Sequence, residues 1–300
     1  MDNQPAIRLP KWGKAMGVIS ATILVAASLW LMWTGNLNIR YTADHEGTIP
    51  LYYNWVPAII CILLIRLMPV HWQENNPFIH WTQQKLLVQS GVLFLSAVLY
   101  TVSLLLIGGQ GMDFQMYHMV FKLIFLLFIP LIFLLLHRKI SGYSRGLSTA
   151  KSFSRRSWVA PLIIIVVWGC LKFFSPLAQP EGTIELADPI VLIIMVVISF
   201  LINSVLEEIF YRVWLQTRLE VLLGRWPAIL LVSILWAIWH ISIQGSGQWD
   251  VDAATVIANH GLTGLFLGYL WARYRRVWPL IVIHGLINAS PHFLMQILLP

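Results

Sequence analysis

The chain has 300 residues, of which 58% are hydrophobic and 11% charged, against roughly 25% charged in an ordinary soluble domain. With 20 basic and 13 acidic side chains and a mean hydropathy of +0.73, it lacks the polar surface of a water-soluble globule, and lipid is the expected solvent. The net charge of +7 marks cytoplasmic loops rather than a nucleic-acid partner, and Cys61 and Cys170 sit in apolar runs, where they behave as small hydrophobes.

The expected fold is all-α: a polytopic integral membrane helix bundle of about nine spans, each needing about 20 mostly apolar residues. In chain order the spans are Ala15 to Thr34, Tyr52 to Met68, Gln84 to Ile107, Tyr117 to His137, Trp158 to Ser175, Ala187 to Trp214, Trp226 to Ile243, Ala253 to Ala272 and Trp278 to Leu298. Arg8, Lys11 and Lys14 precede the first span, which has no small-residue cleavage site and reads as a retained anchor. Alternating loops then sort the charge. Arg66 and Lys85, the segment 138–157, Arg218 and Arg225, and Arg273, Arg275 and Arg276 share the N-terminal side. The opposite loops carry Arg40 and most of the acidic residues, which predicts a cytoplasmic N-terminus. Lys122 and Lys172 fall near outer helix ends and read as snorkelling anchors. Residues 1–186 thus form five spans with a basic cytoplasmic loop at 138–157, and 187–300 form a second unit that concentrates the intramembrane ionisable groups.

An ionisable group at the middle of a span costs about 2.5–3.5 kcal/mol on insertion scales and marks a functional site by default. The sixth span holds Asn203, Glu207, Glu208 and Arg212. Glu208 and Arg212 are one turn apart and can neutralise each other, which leaves Glu207 without a structural role. The seventh span adds Trp236 and His240, and the ninth adds His284 and Asn288. Counting 1.5 Å per residue from the inner ends, Glu207 and Asn288 lie roughly 16 Å deep, His240 about 21 Å and His284 about 10 Å. One layer of the bilayer can therefore gather a carboxylate, two imidazoles and a carboxamide. A Glu beside a His can activate a water, directly or with a bound divalent metal. A second His and an Asn can steady an oxyanion. No Ser or Cys stands beside a base in a nucleophile motif, so water is the expected attacking group. Glu207, His240 and His284 would suit a divalent cation, zinc in particular, as a three-ligand site with one open position.

Glu207-Glu208-x-x-x-Arg212, Trp236-x-x-x-His240 and His284-x-x-x-Asn288, with Trp278-Pro279 opening the last helix, resemble the three motifs of the CPBP (Abi) family of intramembrane CAAX-type endopeptidases and bacteriocin-processing or immunity proteins. Trp236 stands where that family more often has Phe. The resemblance spans roughly 189–300. It implies peptide-bond cleavage at a membrane, with Glu207 and His240 activating water, His284 and Asn288 stabilising the oxyanion, and Glu208 and Arg212 organising the helix. It further implies a membrane-associated peptide or protein substrate, no nucleic-acid partner and a bacterial inner-membrane location. His260 matches no motif and reads as a packing or interhelical residue. Two other classes fit buried Glu, His and Arg: a proton-coupled carrier, and an immunity protein that sequesters a peptide uncut.

Overall fold

The computed structural model describes residues 11–40, 47–68, 77–78, 81–108, 112–140, 156–178 and 189–298. Helix α1 (Lys11–Thr34) leads into an antiparallel hairpin, β1 (Asn38–Arg40) with β2 (Thr48–Pro50), in which Ile39 pairs with Ile49. Both isoleucines are buried against Leu31, Leu51, Ala254 and Ala258, so this hairpin plugs one end of the helix bundle. Sequence alone places a loop here, because three-residue strands carry no readable alternation.

The first half continues through α2 (Tyr52–Leu67), α3 (Gln83–Ile107), α4 (Met112–Lys122), a π-helical turn (Leu123–Phe128), α5 (Ile129–Ile140) and α6 (Arg156–Phe173). The basic loop expected at 138–157 lies largely outside the described residues. The second half opens with one long rod: α7 (Pro189–Ser199), two π-helical stretches (Phe200–Val205 and Glu208–Gln216) and α8 (Thr217–Leu223). It is followed by α9 (Arg225–Ile238), the short α10 (Ile241–Gln244), α11 (Trp249–Tyr274), α12 (Val277–Asn288) and α13 (Pro291–Leu298).

Among the described residues, five helical stretches are long and apolar enough to cross a membrane: Lys11–Thr34, Gln83–Ile107, Asp113–His137, Ile190–Leu223 and Arg225–Gln244. A sixth is added if α12 and α13 count as one span, but they meet at 66°. The single span expected over 278–298 is therefore broken. Pro291 offers no N–H to the helix and disfavours helical geometry at Ser290. Helices α2 and α6 are apolar but shorter, and α11 carries Asp250, Asp252, Asn259, His260 and Arg273 along its length.

Polarity is distributed inside-out relative to a soluble protein. Ile190, Val191, Ile194 and Met195 of α7 and Val18, Val25 and Leu29 of α1 face outward, while Lys122, Glu207, Glu208, Arg212 and His240 are buried. That is the arrangement a lipid solvent selects. At the centre, α11 packs on α9, with α1 and α2 alongside. The approach of α11 to α9 depends on Gly264: a Cβ added there would stand 3.0 Å from the Ser233 Cα and 3.2 Å from the Trp236 Cε3. Small residues let helix backbones meet closely where lipid gives no hydrophobic drive between them. This contact fixes the depth and rotation of Trp236.

Candidate active site

The site is built on the long rod. Its two π-helical stretches flank Leu206 and Glu207, and such windings are rare and frequently found at functional positions. A uniform 3.6-residue period does not hold through this helix. The rod nevertheless buries Ser204, Glu207, Glu208 and Arg212 together. Four buried polar groups on one lipid-embedded helix require partners from its neighbours.

Each carboxylate finds its own. Glu207 Oε1 accepts from the Lys122 ammonium at 2.6 Å, and Oε2 accepts from the Trp236 indole N–H at 2.5 Å. Glu208 Oε1 accepts from His284 Nδ1 at 2.8 Å, while Arg212 lies 3.5 Å from Oε2. Two adjacent carboxylates buried side by side would repel. Here each is held by a separate cationic or donor group, on a separate neighbouring helix. The expected one-turn pairing of Glu208 with Arg212 is present.

His240 lies between two rings, with centroids 3.8 Å from Trp239 and 3.8 Å from His260. Its Nδ1 is 3.1 Å from the Trp236 carbonyl and 3.2 Å from that of Ala237. A carbonyl only accepts, so Nδ1 carries the proton and Nε2 is the basic nitrogen. By the same reasoning His284 donates its Nδ1 proton to the Glu208 carboxylate, the orientation in which a carboxylate steadies an imidazole for proton transfer at Nε2. One turn further along α12, Asn288 donates to Ser204 Oγ at 3.0 Å. Thus 284 pairs with 208 and 288 with 204, two rungs between antiparallel helices.

Trp236 joins these groups. Besides donating to Glu207, its ring lies edge-on to His240 at 5.0 Å, to His284 at 5.6 Å and to His260 at 5.8 Å, with the Arg212 guanidinium 5.3 Å from the centroid. The expected residues Glu207, Arg212, His240 and His284 are thereby gathered around one indole, and Glu208 joins them through His284 and Arg212. Asn288 is on the periphery: its side chain is exposed, and it reaches the cluster through Ser204 and the rod.

Three expectations change, those for Lys122, Lys172 and the metal ligands. Lys122 does not snorkel; it is fully buried and paired with Glu207. Lys172 is also buried and donates to Asn54, which in turn donates to Asn259, the residue before His260. His260 has the interhelical role expected of it: it stacks on His240 and bonds Gln244 at 2.8 Å. The signal for Lys122 is in the charge count. Two intramembrane glutamates against one arginine leave a carboxylate unpaired, and Lys122 and Lys172 are cations within apolar runs that can meet it. The ligand set Glu207, His240 and His284 does not assemble. Glu207 is held by an ammonium and an indole, and the Nδ1 of His284 goes to Glu208. Among the described residues, no group of three His, Cys, Asp or Glu side chains is arranged to hold a metal ion.

Residues 189–290 match the family model described as type II CAAX prenyl endopeptidase Rce1-like. This segment is an Rce1-like domain. It contains all three sequence motifs and every residue that surrounds Trp236. No curated protein and no solved structure matches the chain. The Rce1-like domain takes the buried partner of Glu207 from outside its own limits, because Lys122 precedes it by 67 residues.

Proposed function

We propose that this protein is an intramembrane endopeptidase that hydrolyses a peptide bond of a membrane-associated protein or peptide. The observation that supports this best is the convergence of Glu207, Arg212, His240 and His284 on the buried Trp236 within the Rce1-like segment, with Glu208 joined to them through His284 and Arg212.

The chemistry follows from the donors and acceptors. A water held by Glu207 gives a proton to the side chains as its oxygen bonds to the scissile carbonyl carbon; Nε2 of His240 is the nitrogen free to take it. His284 can steady the negative oxygen as an imidazolium that donates from Nε2 while its Nδ1 proton goes to Glu208, and Asn288, at the edge of the site, keeps a second amide proton beyond the one given to Ser204. The proton passes to the leaving nitrogen as the C–N bond breaks. The products are a carboxylate and an amine. Every step uses side chains of this chain.

In this reading the N-terminus lies in the cytoplasm, 187–300 is the catalytic core, and the site draws substrate from the membrane. Purified full-length protein in detergent tests it, using an internally quenched prenylated peptide with a CAAX terminus as probe. The wild type cleaves the probe, while E207Q, H240A and H284A each lose about 100-fold or more. Undiminished cleavage in all three variants would refute the proposal. Recovery of intact bound peptide after long incubation would replace it with sequestration, and pH-gradient-driven flux in liposomes would replace it with transport.

A further inference from the structure

Lys122 lies at the end of α4, outside the Rce1-like segment and away from every motif that carries the family resemblance. Its ammonium has three neighbours: Asn203 Oδ1 at 2.7 Å, Glu207 Oε1 at 2.6 Å and the Trp239 ring, with its centroid 4.5 Å away. An ammonium has three hydrogens, and here two are directed at oxygens while the cation also faces an aromatic surface. Asn203 is itself fixed, donating to Ser199 Oγ at 2.9 Å. The lysine is thus held on both sides and bridges positions 203 and 207 of the rod.

The geometry points to Lys122 as a positioning residue for Glu207, its buried counter-ion and the group that sets where the carboxylate aims. This rests on the endopeptidase reading. Lys122 takes one carboxylate oxygen from the α4 side and Trp236 takes the other from the α9 side, so the plane of the carboxyl group is fixed between two helices. Each oxygen keeps a lone pair for water. The charge arrangement agrees: Glu208 has Arg212 and His284, and Glu207 has Lys122. The wall beside Lys122 is polar as well. Tyr100 Oη, His118 Nε2 and Trp239 Nε1 are buried with no hydrogen-bond partner among the described residues, and their rings form one cluster with centroids 5.4–6.2 Å apart. Buried polar atoms of this kind are ordinarily satisfied by water or by a bound molecule. A peptide amide or water arriving beside Glu207 would meet them. The N-terminal half therefore contributes directly to the site.

A purely structural ion pair would affect folding and leave turnover of the folded protein unchanged. Full-length E207Q, K122M, K122R and the double variant K122M/E207Q are compared in proteoliposomes, using the same quenched prenylated CAAX peptide and correcting rates for folded protein. For K122M, kcat falls about 100-fold while KM stays within about threefold, the size of effect that misplacing a reacting group produces. K122R keeps the charge but replaces a point donor with a fork, and recovers to about a tenfold loss. K122M/E207Q is no slower than E207Q alone. Wild-type kcat in K122M overturns the inference, as does a change confined to KM. Equal losses in K122M and K122R overturn the counter-ion role. If K122M does not fold, K122R decides, and wild-type kcat there overturns the inference. Cleavage that does not depend on Glu207 overturns the endopeptidase reading and the inference with it, whereas cleavage lost in E207Q but intact in K122M overturns the inference alone.

Discussion

Replacing Trp236 by Phe would keep an aromatic ring near His240, His284, His260 and Arg212 but remove the N–H that Glu207 accepts at 2.5 Å. A hydrogen bond to a charged group contributes about 1.5–3 kcal/mol, and Glu207 is 1% exposed, so solvent does not replace the lost donor. The smaller ring also leaves a cavity, which adds a cost of its own. The two contributions separate in a double-mutant cycle. W236F and E207Q are made singly and together, and unfolding free energy is followed by circular dichroism in mixed micelles of increasing denaturing detergent. The cavity term appears in both backgrounds and cancels. What remains is a coupling of about 1–3 kcal/mol between the indole and the carboxylate. Effects that add to within about 0.5 kcal/mol would show that the two residues do not interact, and would remove Trp236 from the centre of the site.

Other substitutions probe the scaffold. Gly264→Val places side-chain atoms where a Cβ already stands 3.0 Å from Ser233, and should destabilise by about 1–3 kcal/mol through overpacking; Gly169→Ala, with nothing within 4 Å, should be neutral or slightly stabilising in the same detergent unfolding assay. D252A removes the carboxylate that accepts from the Ser246 backbone N–H and hydroxyl and from the Gly247 N–H, so hydrogen exchange at those two amides should accelerate well before global unfolding, and unchanged protection would refute that anchoring. R212M leaves Glu208 with His284 alone and should cost about 3–5 kcal/mol, the usual result of removing one partner from a buried pair; E208Q/R212M should recover part of that loss, and a double variant as unstable as R212M would argue against the pairing.

Much of this was legible in the sequence, for identifiable reasons. Long apolar runs report helices wherever lipid is the solvent, so the helical segments and the placing of Glu207, Glu208, Arg212, His240 and His284 on them follow directly. Their convergence on Trp236 does not, because it depends on which helices are neighbours and on the close approach allowed by Gly264. Lys122 was misread because a long stem near a helix end serves equally well for snorkelling and for an inward ion pair; only the unmatched charge of Glu207 distinguishes them. Helical spacing places Glu208 near Arg212 correctly, yet it cannot anticipate π winding on both sides of Leu206 and Glu207. The metal set failed for a related reason. Residue types show which ligands exist, and partners such as Lys122 and Glu208 decide whether those ligands are available.

The rod that carries both glutamates runs 34 residues, from Ile190 to Leu223. At the α-helical rise that is roughly 50 Å, well beyond a hydrocarbon core of about 30 Å. A helix so mismatched must tilt, protrude or thicken the lipid around it. Its far end is secured to α3, where Arg218 donates to Gln89 at 2.7 Å, and Glu207 is tied to α4 and α9, so the rod and its neighbours should tilt together and carry the site with them. On the endopeptidase reading, membrane thickness is then a lever on access to the site, and vesicles made from shorter or longer lipids should give different turnover rates without any change in the protein.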